Sequence, residues 1–298
     1  MECVEYAGWK NCYRLANKQI ELIITADVGP RVIRFGFIGA ENEFKQFTEQ
    51  LGRTGGDIWL IYGGHRLWHA PEDMTRTYFP DNQRVKVKEI MNGLRVIQDT
   101  EPTTGLQKVI ELRIDTDLAK VSINHKLINH NLWPVNTAVW AISVMAPGGT
   151  AVMPLPARGP HPENFLPTSR LSIWPYTDFS DSRWVFGEKY ILLKQDINKP
   201  APQKLGLLAP DGWLAYARDG HLFIKKMIYQ ENANYPDLGC NLEIYTDKEI
   251  LELETLGPLQ NIEPGETIEH HEEWNLFKDV PVPQNDDDVK KDILPHIT

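Results

Sequence analysis

Cysteine is scarce in this sequence, and the few that occur are far apart. Cys3, Cys12 and Cys240 are the only three in 298 residues. An odd and scattered set favours neither a disulfide framework nor a zinc knuckle, because both need cysteines at short or regular spacings. A reducing compartment is the simplest setting for such a chain, so we expect a cytoplasmic protein.

Long apolar runs, an excess of basic charge and a leader segment are lacking as well. The longest apolar segments, such as AVWAISVMAP, are shorter than the ~20 residues that span a bilayer, and the opening MECVEYAGWK has no basic or apolar region typical of a signal peptide. The net charge is −10, whereas nucleic acids and anionic membranes attract basic surfaces. We therefore expect no signal peptide, no nucleic-acid partner and no membrane partner.

Short segments with alternating apolar residues occupy most of the chain, for example RVIRFGFI, RVKVKEI, AKVSINHKLIN and HLFIKKMIY. Turn signals such as Asn92-Gly93 separate them. Regular short strands of this kind predict an all-β antiparallel sandwich or barrel with few short helices. No linker or repeat divides the chain. We predict a single domain over residues 1–278 and a charged tail, 279–298, that packs loosely.

The stretch GGHRLWHAPED, residues 63–73, concentrates the side chains that could carry chemistry. The flanking glycine pair and proline favour an extended segment over a helix. In an extended chain His65 and His69 share one side, and Arg66 and Trp68 share the other. Tryptophan, arginine and histidine together suit a sugar, since the ring provides a platform and the charged groups bind hydroxyls.

Two other interpretations of this stretch stay open. Its histidines could be hydrogen-bonded inside a packed corner. They could also bind a metal in a cupin-like barrel, with His65, His69 and an acid as ligands, although neither an HExxH pattern nor a cysteine partner supports that. We therefore predict no metal and no other cofactor.

Acidic residues stand out in the late strands. Strand alternation places Glu252 and Glu254 side by side, on the face opposite Leu251 and Leu253. They are either exposed to solvent or line a cleft in which a carboxylate acts as a base or binds hydroxyls. The segment YPDLGCNLEIYT adds Tyr235, Asn241 and Glu243 as candidate substrate-binding residues. Lys204 stands alone in PQKLG, and we expect it to be solvated.

Several motifs resemble the aldose 1-epimerase (galactose mutarotase) superfamily. YRLANKQIELIITADVGPRVIRFGFIGAENEF is similar to the opening hairpins of that superfamily, and ELETLGPLQNIEPGETIEHHEEWNL to its last strands. GGHRLWHAPE, WPYTD and ELETLGPL together resemble an uncharacterised mutarotase-like branch. The resemblance extends over nearly the whole chain. It implies a β-supersandwich of large twisted antiparallel sheets that binds a small-molecule carbohydrate on its concave face.

The resemblance also implies roles for individual residues. In mutarotases a glutamate on a late strand removes a proton from the anomeric hydroxyl, and Glu254 or its neighbour Glu252 matches that position. Arg66, with His65 or His69, matches the residues that help to bind the sugar. His69 is also a candidate for the acid that protonates the ring oxygen.

One departure from the family pattern bears on activity. The family's acid histidine follows a P-V-N-x-x-x-H run, whereas this chain has Trp140 at the last position. An indole does not release its proton at neutral pH. Either His69 or His130 supplies the acid, or the protein binds a sugar without catalysis, with Trp140, Trp68 and Arg66 providing affinity. The sequence leaves the choice, the sugar and the oligomeric state open.

Overall fold

The computed structural model describes residues 2–297, which form 21 strands and three short helical segments. The strands of the first half are β1 (Glu2–Tyr6), β2 (Trp9–Ala16), β3 (Ile20–Thr25), β4 (Arg31–Phe37), β5 (Gly64–Ala70), β6 (Lys86–Ile90), β7 (Gly93–Ile97), β8 (Leu106–Ile114), β9 (Lys120–Asn129) and β10 (Val135–Met145). Those of the second half are β11 (Thr150–Pro154), β12 (Leu171–Ile173), β13 (Trp184–Phe186), β14 (Tyr190–Lys194), β15 (Gln203–Leu207), β16 (Trp213–Arg218), β17 (His221–Met227), β18 (Leu242–Thr246), β19 (Leu251–Leu256), β20 (Gln260–Ile262) and β21 (Thr267–Lys278).

These strands form two large sheets. The first has the order β1-β2-β3-β4-β5-β10-β19-β18-β15-β12, with β20 paired to β10, and the second has the order β13-β14-β11-β16-β17-β21-β9-β8-β7-β6. Neighbouring strands in both sheets run antiparallel, from the first hairpin to the pairing of β5, β10 and β19. The prediction of an all-β sandwich of large antiparallel sheets with few short helices is confirmed. Across residues 2–297, no helix is long and apolar enough to cross a membrane.

The main core lies between the two sheets. Alternate apolar side chains of both sheets point into it, among them Leu67 of β5 and Leu253 of β19, and Phe35, Phe44, Phe223 and Trp274 form an aromatic cluster there. The other face of each sheet is its outer face. On the first sheet, loops cover the outer face and bury a second apolar cluster around Trp68 and Trp140.

The C-terminal segment covers the outer face of the second sheet. After β21 come α1 (Asp286–Asp288), a π-helical turn (Val289–Ile293) and a 3₁₀ turn (Leu294–His296). Val289 and Ile293 are fully buried in an apolar cluster with side chains of β14, β16 and β17. The expectation of a loosely packed tail is therefore wrong, because charged residues alternate there with apolar ones that a helical turn directs to the sheet.

A polar network interrupts the core between the sheets. His65 Nε2 lies 2.7 Å from His125 Nε2, and His65 Nδ1 lies 2.9 Å from Ser143 Oγ. His125 Nδ1 donates to the carbonyl oxygen of His270 at 3.2 Å. Lys225 donates to the carboxylate of Glu272 at 2.9 Å. Each buried group therefore has a partner, which is what a polar group in a low-dielectric interior requires.

His65, His125 and Glu272 are also the residues that could most readily surround a metal ion, since their donor atoms lie within 4.8 Å of one another. Two imidazole nitrogens on one tetrahedral zinc would be about 3.3 Å apart, given Zn–N distances of about 2.0 Å. The 2.7 Å separation of the two Nε2 atoms is instead that of a hydrogen bond. The Lys225 ammonium on Glu272 already supplies the positive charge there.

Four buried histidines are expected to stay neutral well below their usual pKa. Burial lowers the pKa of His69, His125 and His270 to about 3, and that of His65 well below its usual value. The native state then binds fewer protons than the unfolded chain between pH 6.5 and 3. Their contribution to the free energy of unfolding is complete above pH 6.5 and falls by about 1.4 kcal/mol per histidine for each pH unit below it.

Proton NMR of the histidine rings between pH 7.5 and 5 measures this directly. We expect the ring resonances of these four residues to keep their neutral positions, while the same residues in the urea-unfolded chain titrate near pH 6.5. Formation of an imidazolium near pH 6.5 at any of the four sites in the native protein would contradict the expectation for that site.

Candidate functional site

Two glycines at the start of strand β5, one just before it and one as its first residue, have a backbone conformation that no other residue fits. Gly63 and Gly64 have φ angles of +99° and +73°. A Cβ on Gly63 would lie 2.0 Å from the carbonyl oxygen of Lys45, and one on Gly64 would lie 2.2 Å from that of Val32. The pair lets β5 enter the sheet directly against β4, and it thereby fixes which side chains of β5 face outward.

From the glycine pair onward, β5 alternates between the two faces. Arg66 and Trp68 lie on the outer face, and His65 and His69 lie on the inner face. His65 is part of the network between the sheets, and His69 is buried with no hydrogen-bond partner for its Nε2. The stretch therefore divides its functional side chains between two environments, and neither histidine reaches the outer face.

A cleft of about 400 Å³ lies on the outer face of the first sheet, over β5, β10, β18 and β19. Seven aromatic side chains line it, three from strands and four from loops: Trp68, Trp140 and Tyr245, and Phe47, Trp59, Tyr78 and Tyr176. Six charged residues also line it: Arg66, Lys204, Glu72, Asp247, Glu249 and Glu252. Arg66 and Trp68 of the early chain and Glu252 of the late chain thus meet in one place.

Arg66 and Glu252 form an ion pair in this cleft. Arg66 Nη2 donates to Glu252 Oε1 at 3.0 Å, and the guanidinium lies over the Trp68 ring at 4.4 Å and the Trp59 ring at 5.5 Å. Arg66 Nε and Nη1 and the Trp59 Nε1 have no acceptor. Burial raises the pKa of Glu252, and the Arg66 charge offsets part of that rise. The pair thus holds a carboxylate with an elevated pKa at the wall of the cleft.

Lys204 joins two further carboxylates. Its Nζ lies 2.8 Å from Glu243 Oε2 and 2.8 Å from Glu254 Oε2, and it lies over the rings of Trp140 and Trp174 at 4.8 and 4.7 Å. Burial alone would lower the pKa of Lys204, but the two carboxylates outweigh it and raise that pKa well above its usual value. The expectation of a solvated lysine is wrong. The pairing of β15 with β18 places Lys204 next to Glu243 of β18 and Glu254 of β19, and its side chain is buried there.

Glu243 and Glu254 lie behind this lysine and are fully buried. Burial, with Glu254 and Asp237 nearby, raises the pKa of Glu243 well above its usual value, although Lys204 acts in the other direction. The ammonium of Lys204 is thus the cation that both buried carboxylates share. Neither carboxylate is among the residues that line the cleft.

Trp140 contacts Glu254 through its indole nitrogen. Trp140 Nε1 donates to Glu254 Oε2 at 2.8 Å, and the ring packs edge-on against Trp68 with centroids 5.3 Å apart. Glu254 therefore accepts from both Trp140 and Lys204 on the same oxygen, while its Oε1 has no partner. The Trp140 indole therefore helps to hold the Glu254 carboxylate in place.

Acidic side chains and tyrosines lie at the opening of the cleft. The Tyr78 hydroxyl donates to Glu72, and Tyr245 Oη lies 3.4 Å from Asp247 Oδ2. Burial raises the pKa of Tyr176 to about 12, with Lys204 opposing the rise. Tyr176 therefore keeps its proton at neutral pH and can donate a hydrogen bond to a ligand.

Besides His65 and Glu243, two further residues predicted to bind substrate lie elsewhere. The side chain of Asn241 is fully buried, and it donates to the carbonyl oxygen of Ala209 at 2.9 Å and accepts from its backbone nitrogen at 2.7 Å. Tyr235 is buried against Tyr229, and its hydroxyl accepts from the backbone nitrogen of Gln230 at 2.9 Å. Both satisfy backbone groups of loops and do not line the cleft.

Comparisons with solved structures assign the fold. A galactose mutarotase related enzyme from Lactobacillus acidophilus superposes with a TM-score of 0.57 at 10% identity, over 92% of this chain and 99% of that one. A galactose mutarotase-like protein from Lactobacillus casei gives a TM-score of 0.56 at 9% identity, over 90% and 100% of the two chains. A Synechocystis protein gives 0.59 at 10% identity, over 93% and 100%.

This chain therefore has the galactose mutarotase-like fold, as its motifs predicted. No family model matches the sequence, and no curated protein matches it either. At these identities the likeness extends to the fold, and the chemistry of the cleft has to be argued from its own residues.

Replacing Lys204 by methionine tests the buried ion cluster. Lys204→Met keeps the apolar stem but leaves Glu254 and Glu243 without their cation, and breaking a buried pair by removing one partner costs about 3 kcal/mol or more. We expect urea denaturation to show a fall of that size in the free energy of unfolding. In the control, Lys86→Met removes an exposed pair with Asp99 and changes it by less than about 1 kcal/mol. Equal, small effects of both substitutions would contradict the cluster's role.

Proposed function

We propose that this protein binds a sugar or sugar derivative in the cleft between Arg66, Glu252 and the surrounding aromatic rings. One observation carries the proposal: an ion pair with unused donors lies beside aromatic side chains in a cleft of about 400 Å³, on a fold shared with galactose mutarotase-like proteins. Hydroxyl groups both donate and accept, so they suit a wall that offers a carboxylate and a guanidinium side by side.

The aromatic side chains supply the apolar half of the site. The C–H faces of a sugar ring pack on aromatic rings, and such contacts remove apolar surface of both partners from water. Trp68 and Trp140 form the floor, and both are nearly fully buried. Tyr176 is 40% exposed at the opening, so it is the ring that a ligand can cover without any rearrangement.

Replacing Tyr176 by alanine should weaken sugar binding without affecting folding. We expect Tyr176→Ala to raise the Kd for a bound monosaccharide by about threefold to tenfold, the loss expected for one aromatic contact. NMR titration with a panel of aldoses measures it. The matched control is Phe179→Ala in the same loop, which removes an equally exposed ring outside the cleft. A panel with no binding sugar would refute the proposal, as would equal effects of the two substitutions.

A second candidate function is proton transfer on the bound sugar, as in an aldose 1-epimerase. It is favoured by one observation, the raised pKa of a carboxylate that lines the cleft, Glu252. Glu252 would take the proton of the anomeric hydroxyl as the bond from C1 to the ring oxygen breaks. The ring oxygen would take a proton from Tyr176 or Lys204, and the open aldehyde would close again on either face. Glu254 is the alternative base, but Trp140 and Lys204 both bind its carboxylate.

Anomer exchange followed by NMR distinguishes these two bases. We expect Glu252→Gln to reduce exchange to the rate in buffer, because an amide cannot accept the proton, while Glu254→Gln retains measurable exchange. The reverse result would assign the base to Glu254. Wild-type exchange no faster than in buffer, for sugars that bind, would exclude the catalytic function and leave the binding function intact.

A further inference from the structure

More acidic than basic side chains line the cleft, and this excess of negative charge affects which ligands it can bind. Four acidic and two basic residues line it, Glu72, Asp247, Glu249 and Glu252 against Arg66 and Lys204, which leaves a formal charge of −2. The two cations are already paired, Arg66 with Glu252 and Lys204 with Glu243 and Glu254. Among the described residues of the cleft, the charge of each basic side chain is therefore already balanced by a carboxylate, although Arg66 keeps unused donors.

The acids at the opening of the cleft have no such partners. Glu72 accepts from the Tyr78 hydroxyl, a neutral donor. Glu249 is exposed and makes no ion pair among the described residues, and Asp247 binds the backbone nitrogens of Glu249 and Ile250. Three carboxylates without a cation therefore surround the entrance. Such an arrangement attracts a positive group on a ligand and repels a negative one.

The aromatic side chains that line the cleft also favour a positively charged ligand. Trp59 and Tyr78 lie edge-on at 5.4 Å, and both contact Trp68, at 5.1 and 5.0 Å between centroids. Rings grouped in this way attract cations through their faces, as the positions of Arg66 and Lys204 over tryptophan rings illustrate. Beside these rings, Arg66 Nε and Nη1 and Trp59 Nε1 lack acceptors, which sugar hydroxyls provide.

From these features, and resting on the proposed sugar-binding function, we infer that the ligand is an amine-bearing sugar. Its ammonium group lies among the carboxylates of Glu72, Asp247 and Glu249, and its hydroxyls lie toward Arg66 and Glu252. Phosphorylated and carboxylated sugars are excluded by repulsion at the entrance. A neutral sugar of the same configuration binds more weakly, because it lacks the charge.

The test compares matched ligands on the full-length protein. D-glucosamine and D-galactosamine are titrated against D-glucose, D-galactose, N-acetyl-D-glucosamine and D-glucose 6-phosphate at pH 6, where the free amines are protonated. We expect the amines to bind about threefold to tenfold more tightly than the parent and N-acetylated sugars, since exposed ion pairs contribute modestly. The preference should shrink in 0.5 M NaCl, since salt screens charges at the entrance.

Two double variants test whether the carboxylates at the entrance cause the preference for amino sugars. Glu72→Gln/Glu249→Gln removes two carboxylates there and should reduce the preference for the amines over the parent sugars to less than twofold. Glu5→Gln/Glu89→Gln removes two exposed acids on edge strands, β1 and β6, and should leave the preference unchanged.

Different results would overturn the amino-sugar inference and the sugar-binding function. Equal binding of amines and neutral sugars, or tighter binding of the phosphorylated sugar, would overturn the amino-sugar inference and leave the sugar-binding function standing. A loss of preference in both double variants would also overturn the assignment to the entrance. Binding of none of the six ligands would overturn the sugar-binding function itself.

Discussion

The central strands of the first sheet are buried on both faces, and the pairing of the charged side chains that these strands bring to the site follows from this constraint. Strands β5, β10 and β19 have the main core on one side and a loop-covered layer on the other. A charged residue on any of them is removed from water whichever way it points, so it needs a partner. Arg66 with Glu252, and Lys204 with Glu243 and Glu254, are the partnerships on the outer side.

The two groups of ion pairs on the outer face differ in whether a ligand in the cleft can reach their carboxylates. Glu252 lines the cleft, so its carboxylate is available to a ligand, and its pair with Arg66 presents an acceptor and donors together. Glu254 is enclosed by Trp140 and Lys204, so it stabilises the position of these two side chains in the floor. Of the two neighbouring acids on this strand face, Glu252 is thus the one that lines the cleft, and Glu254 lies behind it.

Much of this arrangement could be predicted from alternation alone. The period of two separated Arg66 and Trp68 from His65 and His69, and it placed Glu252 and Glu254 together. Alternation cannot tell which side of a strand faces the second sheet, so the histidines could be expected in the cleft. The position of Lys204 depends on the register of β15 with β18, and one lysine in a short strand carries no signal of that pairing. Trp59, Tyr78 and Tyr176 come from loops, whose paths have no periodic pattern.

The glycine pair before β5 has a consequence for how experiments on this protein are interpreted. Side chains at these positions would collide with the backbone carbonyls of Lys45 and Val32, which cannot rotate away as a flexible side chain can. Any substitution there would shift β5 as a unit. Such a shift would move the guanidinium of Arg66 on one side and the imidazole of His65, which bridges to the second sheet, on the other. Reduced ligand affinity in a glycine variant would therefore reflect a disturbed scaffold as much as a disturbed site.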